Sequence, residues 1–122
     1  MTRFLGGPLA VPATRQRSTS VQLARTAREM RPHAARAAAL LKALGNEQRL
    51  TILCHLVPGP LSVRELNERL PLSQSALSQH LGILRDFGVV RTSRASQSVI
   101  YSLPAGTATR IIGLLHASFC RR

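Results

Sequence analysis

Between Ser62 and Gly88 the chain carries two helix starts, one enforced break and one helix stop, and together they leave the backbone little choice. Ser62 is followed three residues later by Glu65, the spacing of a capping box in which each side chain satisfies a free amide at a helix start. Leu61 and Leu66 flank it as a hydrophobic staple. Pro71 has no amide hydrogen and disfavours helical backbone at Leu70, so the first helix must stop there. Ser73 then caps a second helix. Along it Leu77, Leu81 and Leu84 recur at helical spacing as a stripe to be buried, and Gly88 closes it as a left-handed C-cap.

The face left over is the informative one. A solvated helix face is usually laced with Glu and Lys, whereas this helix offers Gln74, Ser75, Ser78, Gln79, Gly82 and Arg85. Small and amide side chains allow close approach and bond to base edges or phosphates; Gln suits adenine and Arg suits guanine in the major groove. Two short helices about a tight turn, the second with such a face, read as a helix-turn-helix presenting a recognition helix to double-stranded DNA. Ser73 and His80 join the same candidate contact set. An ordinary amphipathic helix with a polar outside is the plainer alternative, and the charge of the chain and the segment after Gly88 weigh against it.

The charge is large. Seventeen Lys and Arg residues stand against 5 Asp and Glu in 122 residues, a formal net charge of +12 that calls for a polyanionic partner. An anionic membrane surface is the rival, but no stretch approaches the roughly 18 apolar residues of a spanning helix, and the basic residues are spread along the chain. Phe4, Phe87, Phe119 and Tyr101 are the only aromatics, too few for single-strand binding by base stacking. Two cysteines without a convincing signal peptide suggest a reducing, cytoplasmic setting. A chain of this length supports one core domain.

Residues 1–30, with Gly6-Gly7-Pro8, Pro12, Ser18-Thr19-Ser20, five arginines and no acid before Glu29, read as a basic, disordered arm, or as an Arg- and Ser-rich organellar leader. Residues 31–122 read as the DNA-binding and dimerisation domain. A helix from Pro32 to Leu44 places Leu40, Leu41 and Leu44 on one side before Gly45 ends it. Asn46 caps the next, Glu47 to Val57, with Arg49 and His55 turned away from its apolar face. Val89 to Ser93 and Ser98 to Leu103 read as strands of a hairpin whose tip is Arg94-Ala95-Ser96-Gln97. A hairpin directly after a recognition helix is a wing, and Arg91, Arg94 and Gln97 become candidates for the DNA backbone or minor groove. Thr107 caps a last helix carrying Ile111, Ile112, Leu114, Leu115 and Phe119. The fold class is mainly α with a small β-hairpin, a winged helix-turn-helix.

Leu40 to Leu53, Leu72 to Leu81 and the wing ending Ile100-Tyr101-Ser102-Leu103 together resemble the ArsR/SmtB family of winged-helix repressors over about residues 36 to 120. The resemblance implies a homodimer built from the first and last helices, binding an inverted-repeat operator through the Ser73 to Phe87 helix until an inducer releases it. The chain departs from the metal sensors of that family. Val63 to Arg69 has no cysteine pair, and residues 107–122 hold one histidine and no acid. What remains is Cys54 and Cys120, whose placement resembles the BigR, SqrR and YgaV subgroup and implies a dithiol that senses reactive sulfur species or oxidants by forming a disulfide or polysulfide link.

Other readings stay open from the residues alone. A lone Cys among Leu and Ile is most often a small buried hydrophobe. His116 and Cys120 lie four apart on one helical face, and Cys54 could complete a metal site with them. A constitutive architectural or RNA-binding protein is also compatible with the charge. An enzyme is not expected, since no nucleophile has a recognisable base and orienting partner, and no cofactor is implied.

Overall fold

The computed structural model describes residues 16–120. Its elements are α1 (Gln16–Met30), a 3-10 turn (Arg31–His33), α2 (Ala34–Leu44), α3 (Glu47–Leu56), β1 (Leu61–Ser62), α4 (Val63–Arg69), α5 (Gln74–Asp86), β2 (Arg91–Ala95), β3 (Ser98–Ser102) and α6 (Thr107–Phe119). They divide between two compact units, Met1–Ala37 and Ala38–Arg122.

In the first unit the expected disordered arm is corrected over its second half, because residues 16–30 form α1. This stretch contains no Gly or Pro and carries Ala, Arg, Gln, Leu, Glu and Met, all good helix formers; that propensity outweighs the Ser-rich composition. Residues 1–15 of the arm lie outside the described residues. Pro32 sits in the 3-10 turn, so the α-helix expected to begin there starts at Ala34.

The second unit is built on one core of Leu44, Ile52, Leu53, Leu56, Leu66, Leu77, Leu81, Leu84, Val89, Tyr101 and Ile112. Leu44 is buried and Leu40 packs against the core, but Leu41, expected beside them, is 56% exposed. The Asn46 side chain accepts from the Arg49 amide at 3.0 Å and starts α3. Val57, expected as its last apolar residue, is instead an exposed C-cap.

The capping box of α4 is complete: the Glu65 amide donates to Ser62 Oγ at 3.0 Å and the Ser62 amide donates to Glu65 Oε1 at 2.8 Å. Those bonds to the carboxylate hold the Glu65 pKa below its ordinary value, the backbone donor of Ser62 first. Leu70 is extended ahead of Pro71. Ser73 Oγ accepts from the Ala76 amide at 3.0 Å to begin α5, which ends ahead of Gly88 at φ 70°. The helix-turn-helix therefore follows the sequence signals closely.

The sheet holds one element that the sequence pattern does not announce. β1 pairs with β3, Leu61 opposite Tyr101, making a three-stranded antiparallel sheet in the order β1-β3-β2. Two residues are too few for alternation to show. The first strand of the wing is shifted by two residues and its loop is shorter than expected, since Arg94 and Ala95 pair with Val99 and Ser98 and leave only Ser96 and Gln97 in the loop. Ser96 alone of the pair has positive φ, the pattern of a type II′ turn. Val89 and Val90 precede β2 as buried core residues instead of opening it, and Leu103 follows the end of β3. The N-cap of α6 is Gly106 with no side-chain bond; Thr107, expected in that role, already lies in the first turn and accepts from Arg110 at 3.3 Å.

Candidate DNA-reading surface and thiol pair

Burial sorts α5 into two faces. Leu77, Leu81 and Leu84 are at most 1% exposed, while Gln74, Ser75, Ser78, Gln79 and Arg85 are exposed, as is the cap Ser73. No acidic residue occupies the first turn, so the partial positive charge of the helix start is uncompensated and favours a phosphate. Arg91, Arg94 and Gln97 are exposed on the wing. The exposed face also includes Ile83 and Phe87, 37% and 45% exposed, which the polar reading of the helix leaves out.

His80 departs from the other candidate contacts. It is half-buried, and its Nδ1 lies 3.3 Å from Arg49 Nη1. Arg49 also donates from Nε to the Ala43 carbonyl at 2.6 Å and from Nη2 to the Lys42 carbonyl at 3.4 Å. One guanidinium thus closes carbonyls in the last turn of α2 and reaches the middle of α5. No periodicity could have exposed this, because Arg49 and His80 are 31 residues apart in the chain.

A cleft of about 480 Å³ joins the two ends of the candidate surface. It brings Gln74 of α5 and Gln97 of the wing together with Ser98, and adds Arg64, Asn67 and Glu68 of α4. Asn67 Oδ1 is buried there without a hydrogen-bond partner. Arg64 pairs with Glu68 at 3.7 Å, an exposed pair that contributes little to stability and leaves the guanidinium available to a stronger anion. Arg64 and Asn67 were not singled out from sequence; only a basic residue on the first helix of a helix-turn-helix, the one that crosses the DNA backbone, could have pointed to them.

The two cysteines are free and exposed, Cys54 on α3 and Cys120 at the C-cap of α6, and α3 packs against α6. Partial burial raises the Cys54 pKa above the ordinary thiol value, and the neighbouring charge of the Cys120 thiolate raises it further. His55, next in sequence, places Nδ1 2.9 Å from the Thr51 carbonyl. Among the described residues no three His, Cys, Asp or Glu side chains cluster closely enough to hold a metal ion, so His116 does not complete a site with Cys54 and Cys120. Nor is any described helix long and apolar enough to cross a membrane.

A buried leucine stripe, a polar exposed face and a basic two-stranded wing on a three-stranded sheet define a winged helix-turn-helix DNA-binding regulator. More narrowly, the chain belongs to the arsR family of bacterial regulatory proteins, whose profile, "Bacterial regulatory protein, arsR family", matches residues 46–92. Transcriptional activator HlyU of Vibrio cholerae serotype O1 is 50% identical over 93 residues, which cover 76% of this chain and 86% of HlyU. The biofilm growth-associated repressor of Agrobacterium fabrum is 42% identical over 114 residues, 93% of this chain and 84% of the repressor. The structure of reduced HlyU from V. cholerae aligns with TM-score 0.71 at 50% identity, over 76% of this chain and 98% of that one. BigR from Xylella fastidiosa aligns with TM-score 0.68 at 37% identity, over 78% and 97%.

Proposed function

We propose that the protein is a cytoplasmic, homodimeric repressor that binds an inverted-repeat operator and releases it when Cys54 and Cys120 become linked. The observation that carries this reading is the placement of two exposed, free thiols on helices α3 and α6, which pack against each other. The names of two relatives, a biofilm growth-associated repressor and an HlyU solved in a reduced form, support repression and redox sensing. Leu114 and Phe119, 67% and 73% exposed on α6, support a second copy covering that helix.

The chemistry balances with reactive sulfur as oxidant. One cysteine thiolate attacks the outer sulfur of glutathione persulfide, and glutathione leaves as its thiol, giving a cysteine persulfide. The other thiolate then attacks the inner sulfur of that persulfide and expels hydrosulfide, leaving a disulfide between the two cysteines. Two thiols are oxidised and one sulfane sulfur is reduced. Further persulfide equivalents lengthen the link to a polysulfide. Tying α3 to α6 strains the helix that packs on the recognition helix and the helix that meets the partner. A penalty of only about 3 kcal/mol on the DNA-competent state lowers affinity more than a hundredfold.

Gln74, Ser75, Ser78, Gln79 and Arg85 read base edges and flanking phosphates in this scheme, Ser73 and Arg91 contact phosphates, and Arg94 and Gln97 reach the backbone or minor groove beside the site. The test is binding to duplex selected from a random library by the reduced protein, before and after glutathione persulfide, with intact mass on the same samples. Loss of binding together with a Cys54–Cys120 link is expected. Unchanged binding by a fully linked protein overturns the switch.

A further inference from the structure

We propose that Arg49 is a positioning residue for DNA recognition, acting through His80: it holds the imidazole in the tautomer protonated on Nε2, so that α5 presents a hydrogen-bond donor to an acceptor on the duplex. The inference rests on the reading of α5 as the recognition helix.

A guanidinium has five N–H donors and no acceptor, and it stays charged in proteins. At 3.3 Å from Arg49 Nη1, the Nδ1 atom of His80 can only accept. An imidazole whose Nδ1 lone pair is engaged is neutral and carries its proton on Nε2. Among the described residues His80 makes no other hydrogen bond, so none of them accepts this proton. His80 follows Gln79 and lies one helical turn beyond Ala76, between the exposed face and the leucine stripe, and is itself half-buried. Phosphate oxygens and the N7 and O6 atoms of guanine all accept from such a donor.

Arg49 is itself held from three sides. Its Nε meets the Ala43 carbonyl at 2.6 Å, its Nη2 meets the Lys42 carbonyl, and its own amide is fixed by the Asn46 cap. The Ala43 carbonyl is one of those that a helix end leaves without an intrahelical partner. The guanidinium is therefore oriented by the α2–α3 junction before it meets α5, which is what a positioning group requires. Because α3 also carries Cys54, a displacement of α3 relative to α5 reaches the imidazole through this bond.

Two measurements test the proposal. Long-range proton–nitrogen correlation spectra of the labelled, reduced protein are expected to show His80 protonated on Nε2, and Arg49→Lys, which keeps the charge but loses the fork, is expected to give a mixture of tautomers. A wild-type His80 protonated on Nδ1, or an unchanged tautomer in a folded Arg49→Lys, overturns it. In binding to the selected duplex, His80→Asn keeps an acceptor for Arg49 but loses the distal donor, whereas His80→Gln keeps a donor near the Nε2 position. The Asn variant is expected to lose about tenfold in affinity, within the coupling range of touching side chains, and the Gln variant to bind nearly as wild type. Equal losses for both overturn the donor role, and this arm decides the question even where Arg49→Lys fails to fold. A loss equal on selected and random duplex assigns the acceptor to phosphate, and a loss confined to selected duplex assigns it to a base. Absence of duplex binding by wild type, with the tautomer as expected, refutes the reading of α5 and not the lock.

Discussion

Helices α5 and α6 are each thirteen residues long, yet they differ in how they start and in how much of their apolar surface the core covers. α5 begins on a serine side-chain cap, buries three leucines completely and exposes polar atoms. α6 begins on Gly106 without a side-chain cap, buries Ile112 and leaves Leu114 and Phe119 in the open. A helix whose apolar stripe is matched to its own core is set by local sequence. A helix with exposed apolar residues is the surface that the proposed second copy would cover.

The largest effects should separate these helices by where they are felt. Leu77→Ala removes a side chain with no exposure and is expected to destabilise the fold by about 2–5 kcal/mol, read by urea denaturation of the reduced protein. Leu114→Asp is expected to leave that folding transition nearly intact, within about 0.5 kcal/mol for an exposed position, while shifting sedimentation to the monomer and abolishing operator binding. A Leu114→Asp protein that remains dimeric would place the second copy elsewhere.

Caps sharpen the contrast at a smaller scale. Ser73→Ala and Ser62→Ala each remove a bonded cap and are expected to cost about 1 kcal/mol. Thr107→Ala removes no N-cap and is expected to cost less than either in the same denaturation series. Ser62→Ala keeps the Ser62 amide, the larger cause of the depressed Glu65 pKa, and that depression contributes stability that is present above the ordinary carboxylate range and lost as pH falls through the folded value. The variant should therefore lose stability with acid almost as steeply as wild type, whereas Glu65→Gln, which removes the carboxylate, should flatten the decline.

Smallest is the titration that links α3 to α6. Because the Cys54 pKa is raised, its thiolate is scarce at neutral pH, and alkylation should climb with pH to a midpoint above that of an ordinary thiol. The same sign means that this group's contribution to stability is present below the ordinary thiol pKa and lost as pH rises through the folded value. Cys120→Ser removes the neighbouring charge, the lesser of the two causes, so the Cys54 midpoint should fall only part of the way. An unmoved midpoint would show that the Cys120 charge does not reach Cys54.

Much of the molecule follows from residues a turn apart. Ser62 with Glu65, Pro71, Ser73 and Gly88 specified both helices of the helix-turn-helix, because caps, prolines and left-handed glycines act over three or four residues and satisfy groups that the helix itself exposes. The exposed Gln and Ser of α5 and the arginines of the wing were legible for the same reason. Tertiary structure decided what depends on distant partners. It added β1, which exists only because Leu61 lies opposite Tyr101, turned Leu41 outward, and joined Arg49 to His80. It also packed α3, which carries Cys54, against α6, which Cys120 caps. A hydrogen bond or a Coulomb interaction between residues tens of positions apart leaves no period in the sequence, so only the packing of α3 against α5 and α6 could bring those groups together.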